Sequence, residues 1–176
     1  MTYCVGLHLD DGLVLVSDTR TNAGVDNVST FSKMHVVESP GERVLAMLSA
    51  GNLAVSQAVV NLLHEGVEVD DTTETLLSVP TMFRAAQLVG AAVRQVYRVD
   101  GEALQAQNVG FDVSILLGGQ IFGRPARLYQ IYAAGNFIEC GVETPYLQIG
   151  EHKYGKPILD RAVTWNTSLS DALKLG

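Results

Sequence analysis

Apolar positions open this chain as a nearly unbroken run, Tyr3-Cys4-Val5-Gly6-Leu7-His8-Leu9, and a second run, Leu13-Val14-Leu15-Val16, follows Asp10-Asp11-Gly12. An Asp-Gly step between two such runs is a hairpin signal. The pattern predicts strands over 2–9 and 13–17 joined by a two-residue turn. Phe31 to Val37 alternates and reads as a strand that includes Lys33. After the turn Pro40-Gly41, residues 44–50 read as a buried strand. The period then changes: Leu53, Val55, Ala58, Val59, Leu62 and Leu63 recur at helical spacing and predict a helix over 52–64. An acidic loop, 65–75, separates it from a second helix over 81–97, which Pro80 suits as a first turn. Residues 100–110 read as a link. Strands return at 112–118, 127–132 and 146–149, and helices at 156–165 and 169–175. Strands, two helices, strands, two helices is the order of an α+β fold, a four-layer αββα sandwich with helices on both outer faces.

The hairpin has a chemical consequence. Its register brings the start of the first strand beside the end of the second, so Asp18 comes close to Thr2. With Met1 removed, Thr2 carries a free α-amine beside its hydroxyl. An α-amine titrates near neutrality, so it can take the hydroxyl proton and make threonine a nucleophile. A carboxylate at Asp18 can hold a cation, and Lys33 is a candidate cation that would lower the hydroxyl pKa. Gly51, at a strand-to-helix corner, offers an amide suited to an oxyanion hole. Each residue also has a plain alternative. In that alternative Thr2 only begins a strand, Asp18 ends one, Lys33 edges one, and Gly51 reverses the chain.

Composition narrows the classes. The chain has 176 residues, 47% of them hydrophobic, enough for one ordinary domain spanning 1–176. Twelve basic against nineteen acidic residues give a net charge of −7, which argues against nucleic acid or an anionic membrane as partner. Cys4 and Cys140 lack metal spacing and fit a reducing, cytoplasmic setting. Cys4 alternates with apolar neighbours and reads as a small core residue. No stretch reaches membrane length and no signal segment is evident. Gly118, Gly119 and Gly123 make no dinucleotide fingerprint, because no helix follows them. The four histidines show no ligand spacing, so neither metal nor cofactor is implied. Ser17 beside Asp18 hints at a serine triad without a placed histidine.

The order Thr2, then Ser17-Asp18-Thr19-Arg20, then Lys33, then Ser49-Ala50-Gly51 before a helix resembles proteasome β subunits and the bacterial HslV peptidase. Thr21-Asn22-Ala23-Gly24 and the stretch from Tyr146 to Pro157 resemble the bacterial proteasome-related Anbu group most. The resemblance runs over essentially the whole chain. It implies a threonine peptidase in a self-compartmentalising homo-oligomer, a ring or ring-like helical turn, acting on peptides or unfolded proteins. Thr2 would be the nucleophile, Asp18 would orient Lys33, and Gly51 would hold the oxyanion. Thr21, Phe31, His35, Ser49 and Leu53 match the family's pocket for the substrate side chain, and substrate backbone would pair beside Asn22 and Leu53. Two departures stand out. The family's corner serine is replaced in Ile149-Gly150-Glu151-His152, and the family's final Asp, Ser and two strands are expected beyond Gly176. A non-catalytic structural ring subunit and an amidase acting on a small amide are the other classes left open.

Overall fold

The computed structural model describes residues 2–22 and 28–176; within 21–30 only the backbone of its strands is described. Met1, Ala23 and Gly24, which carried part of the sequence reading, lie outside the described residues, as do the side chains of Thr21 and Asn22. The elements run β1 (Tyr3–Leu9), β2 (Gly12–Ser17), β3 (Arg20–Asn22), β4 (Val28–Thr30), β5 (Met34–Ser39), β6 (Arg43–Gly51), α1 (Leu53–Glu65), β7 (Val67–Val69), β8 (Thr72–Glu74), α2 (Met82–Ala106), β9 (Val113–Ile121), β10 (Arg127–Ile131), β11 (Phe137–Glu139), β12 (Tyr146–Gly150), α3 (Gly155–Ala162) and α4 (Leu169–Leu175).

Two antiparallel sheets form the centre: β12-β1-β2 and β11-β10-β9-β6-β5. Strand alternation divides their apolar side chains among three layers. Cys4, Leu48, Ala50, Leu116 and Ile149 pack between the sheets. Leu45, Met47, Ile115 and Leu117 face the other way and join Val59, Leu63, Val89 and Val93 of α1 and α2. Val5, Leu7 and Val14 pack with Leu159 of α3 and Ala172 of α4. The four-layer αββα sandwich is therefore present.

Several boundaries differ from the sequence reading. The helix predicted over 81–97 continues to Ala106, so most of the expected link at 100–110 is helical. Periodicity weakens after Val96 because the packed face narrows to Gly101 and Leu104, while Tyr97, Arg98 and Val99 are exposed. The acidic loop holds the short hairpin β7–β8, with Asp70 and Asp71 in the left-handed region at its tip. Lys33 sits just before β5 rather than within it. The apolar stripes of α1 and α2 pack on the larger sheet, while Phe83, Tyr97 and Val99 of α2 stay exposed.

Candidate active site

The site begins with the hairpin. The two-residue turn sets Cys4 opposite Ser17, which leaves Tyr3 opposite Asp18. Asp18 N–H donates to Tyr3 O at 3.0 Å, and Tyr3 N–H donates to Asp18 Oδ1 at 2.8 Å. The carboxylate is thereby fixed one peptide unit from Thr2. Arg20 N–H adds a bond to Asp18 Oδ2 at 3.1 Å.

Lys33 reaches this carboxylate from the other sheet. Its Nζ lies 2.7 Å from Asp18 Oδ1, 2.7 Å from Asp18 Oδ2 and 2.7 Å from Arg20 O. The lysine is only 5% exposed, which is tolerable for an ammonium because it is paired and hydrogen-bonded. Partial burial would raise the Asp18 pKa, but the Lys33 hydrogen bond, the Tyr3 N–H, the Lys33 charge and the Arg20 N–H outweigh it and hold the group below its ordinary range. Asp18 is therefore a carboxylate at neutral pH. Cys4 lies beneath this group with its Sγ 3.8 Å from Ser49 O. Burial first, then the Asp18 charge, pushes its thiol up to about 12 against a smaller opposing effect of Lys33. Cys4 is thus a buried thiol with no nucleophilic character at neutral pH.

β6 supplies the next part. Ser49, itself buried, donates its N–H to Lys33 O at 3.0 Å. Strand alternation turns Gly51 N–H out of the same edge, past the start of β5. Gly51 has φ +108°, and a Cβ there would lie 2.3 Å from Asp112 O. Glycine is required for this corner. Asn52 then caps α1 with its side-chain oxygen, accepting from Ala54 N and Val55 N, so Leu53 is the first helical residue, half-buried at the corner. Phe31, 38% exposed, is held by its N–H to Thr19 O at 3.1 Å. His35 pairs with Met47 and faces the α1 side. Burial, then the charge of His64, lowers its pKa. Asp18 and Lys33 therefore stand together one peptide unit from Thr2, with Ser49 and Gly51 on the adjoining strand end and His35 one alternation further away.

Three contributors were not legible as such in the sequence: Tyr3 N–H, Arg20 O and the Gln148 side chain behind the corner 149–152. The first two are backbone groups and leave no residue signature. The corner had a weak signal, a glutamine at Gln148 between Leu147 and Ile149 on an otherwise buried strand. Glu151 stands at the position of the family's corner serine. Its Oε1 accepts from Lys153 N–H at 2.7 Å, while its own N–H donates to Thr2 O at 2.7 Å. Among the described residues, no group of three or more His, Cys, Asp or Glu is gathered to hold a metal ion, and no helix is long and apolar enough to cross a membrane.

Comparison with known proteins shows the family. The proteasome subunit family profile matches residues 2–176. The chain is similar to a solved Anbu (Gly-1) mutant from Hyphomicrobium sp. strain MC1, with 50% identity and a TM-score of 0.89 over 99% of this chain and 71% of that one. It is similar to Anbu, described as an ancestral beta-subunit, from Yersinia bercovieri at 47% identity and TM-score 0.86, over 98% of this chain and 70% of that one. It is also similar to the Anbu complex solved as a helical assembly from Pseudomonas aeruginosa, at 49% identity and TM-score 0.90, again over 98% and 70%. No curated protein matches the chain. With a family match over nearly its whole length, a shared fold and close to half of its residues in common with these structures, the chain belongs to the proteasome subunit family, in its bacterial Anbu branch.

Proposed function

We propose that this protein is a threonine peptidase of the N-terminal-nucleophile kind, one proteasome-like domain over 1–176 that cleaves peptide bonds inside a cytoplasmic assembly of its own copies. The observation that carries the proposal is the Lys33 ammonium, held by both oxygens of Asp18 and by Arg20 O beside the strand that starts with Thr2. A cation built in at that point has a clear use in stabilising a developing alkoxide.

In the mechanism, the Thr2 Oγ attacks the scissile carbonyl carbon and its proton passes to the α-amine of Thr2, directly or through a water. Gly51 N–H donates to the resulting oxyanion. The amine returns the proton to the leaving nitrogen, the C–N bond breaks, and an ester on Thr2 remains. Water, deprotonated by the same amine, hydrolyses that ester and frees the hydroxyl. Substrate backbone lies as an added strand beside Asn22 and Leu53, and among the described residues Phe31, His35, Ser49 and Leu53 are assigned to the pocket for its side chain. The related Anbu from Pseudomonas aeruginosa forms a helical assembly, which supports an open, ring-like turn of copies here. A small rotation at each contact decides between a closed ring and an open helix.

Covalent labelling by a β-lactone of the protein with Met1 removed tests the proposal. Wild type is expected to take the label on Thr2 and Thr2→Ala to take none. Persistent labelling in Thr2→Ala would overturn the assignment.

A further inference from the structure

The carbonyl of Thr2 is gripped by the end of β12. Tyr3 pairs with Gly150 in the last register step. Gly150 has φ +86°, and a Cβ there would lie 2.1 Å from Thr2 O. Thr2 O thus occupies the space that any other side chain would need. The next residue, Glu151, donates its N–H to that oxygen at 2.7 Å.

This grip has its own anchor. Gln148 is buried, and its Nε2 donates to Glu151 O at 2.8 Å, closing the corner from below. The amide is walled in by Tyr3 and Gly155: a Cβ on Gly155 would lie 2.6 Å from the Tyr3 ring and 3.0 Å from Gln148 Nε2. Among the described residues, Gln148 Oε1 is buried without a hydrogen-bond partner. Burying an unpaired acceptor is costly, and an apolar side chain of the same size would avoid the cost. Packing therefore does not explain a glutamine at this position, whereas the donor to Glu151 O does.

We propose that Gln148 is a positioning residue for the nucleophile, its amide holding the Gly150–Glu151 corner that locates Thr2. The inference rests on the reading of Thr2 as nucleophile, and it adds a side chain outside the Asp18–Lys33 ion pair. Two variants test it in the full-length protein with Met1 removed. Gln148→Met keeps the volume and loses the donor. Hydrogen exchange at Glu151 N–H should quicken by about tenfold, the equivalent of one lost hydrogen bond. β-Lactone labelling of Thr2 should slow by roughly 10- to 100-fold from the misplaced nucleophile.

Gln148→Glu adds a readout that a packing role would not move. Ionised, its carboxylate repels Glu151 O; protonated, it donates as the amide does. Its labelling rate relative to wild type should rise as pH falls, while the same ratio for Gln148→Met stays level. Wild-type exchange and labelling in Gln148→Met would overturn the proposal, as would a level ratio in Gln148→Glu. A wild type that takes no label would refute the nucleophile reading instead. The exchange rate of Glu151 N–H would then decide the anchoring by itself, quickened in its favour or unchanged against it. Should Gln148→Met not fold, the pH comparison on Gln148→Glu decides.

Discussion

The proposed chemistry rests on three side chains, those of Thr2, Asp18 and Lys33, and each can be tested alone. Lys33→Ala removes the cation and should slow labelling of Thr2 by roughly 100-fold, the usual scale for a lost electrostatic contact to a developing oxyanion. Lys33→Arg should not restore it, because the ammonium sits within 2.7 Å of three acceptors and a planar guanidinium fork does not fit that point. Asp18 makes a prediction about pH. Its folded pKa is lowered, so its contribution to stability is present above its unfolded value of about 3.9 and is lost as pH falls through the lower folded value. Wild type should therefore exceed Asp18→Asn in thermal stability at neutral pH, and the gap should close on acidification below about pH 3.9. A gap that is independent of pH would show that Asp18 acts through shape rather than charge. Met1 removal belongs at this scale too. An amide nitrogen on Thr2 cannot accept a proton, so a sample retaining Met1 should be inert to the β-lactone and gain reactivity after methionine aminopeptidase treatment. Equal reactivity in both would move the role of base away from the amine.

At the level of elements, glycines mark where the layers meet. Gly90 lies inside α2, where helix propensity alone favours alanine by ~1 kcal/mol. Here a Cβ would lie 2.2 Å from Gly135 O, in the turn between β10 and β11, and Arg94 Nη1 donates to that same oxygen at 2.9 Å. Gly90→Ala should therefore destabilise by ~1–3 kcal/mol despite its better propensity, read from denaturant unfolding. Gly110→Ala, with nothing within 4 Å of the added carbon, should stay within ~0.5 kcal/mol of wild type. The contrast is a packing effect that neither residue's sequence neighbours reveal. The same holds for α2 as a whole: residues 100–106 read as a link because their mostly polar composition leaves only Gly101 and Leu104 on the packed face.

For the whole molecule, the proposal requires copies to associate. Among the described residues, exposed apolar side chains lie on α2, at Phe83, Tyr97 and Val99, and on or beside α3 and α4, at Tyr154, Ile158 and Leu173. Light scattering at micromolar concentration should report a mass well above one chain. The net charge of −7 makes copies repel one another, so added salt should strengthen association rather than weaken it. A one-chain mass at every salt concentration would contradict the assembly.

Hydrophobic period and turn chemistry determined the layers of this protein from sequence alone. The Asp10-Asp11-Gly12 turn even determined the closeness of Asp18 to the chain start, because a two-residue hairpin leaves the register no freedom. The order of Thr2, Asp18, Lys33 and Gly51 along the chain was equally open to reading. Tertiary structure decided what those residues meet. Lys33 joins Asp18 only because two sheets stack with Cys4, Leu48 and Ile149 between them. Arg20 contributes a carbonyl and Tyr3 an N–H, groups that every residue carries and no sequence distinguishes. The hold of Gly150 and Glu151 on Thr2 O joins positions about 150 residues apart through the pairing of β1 with β12. Local sequence encodes periods and turns, whereas long-range backbone bonds depend on how the layers close.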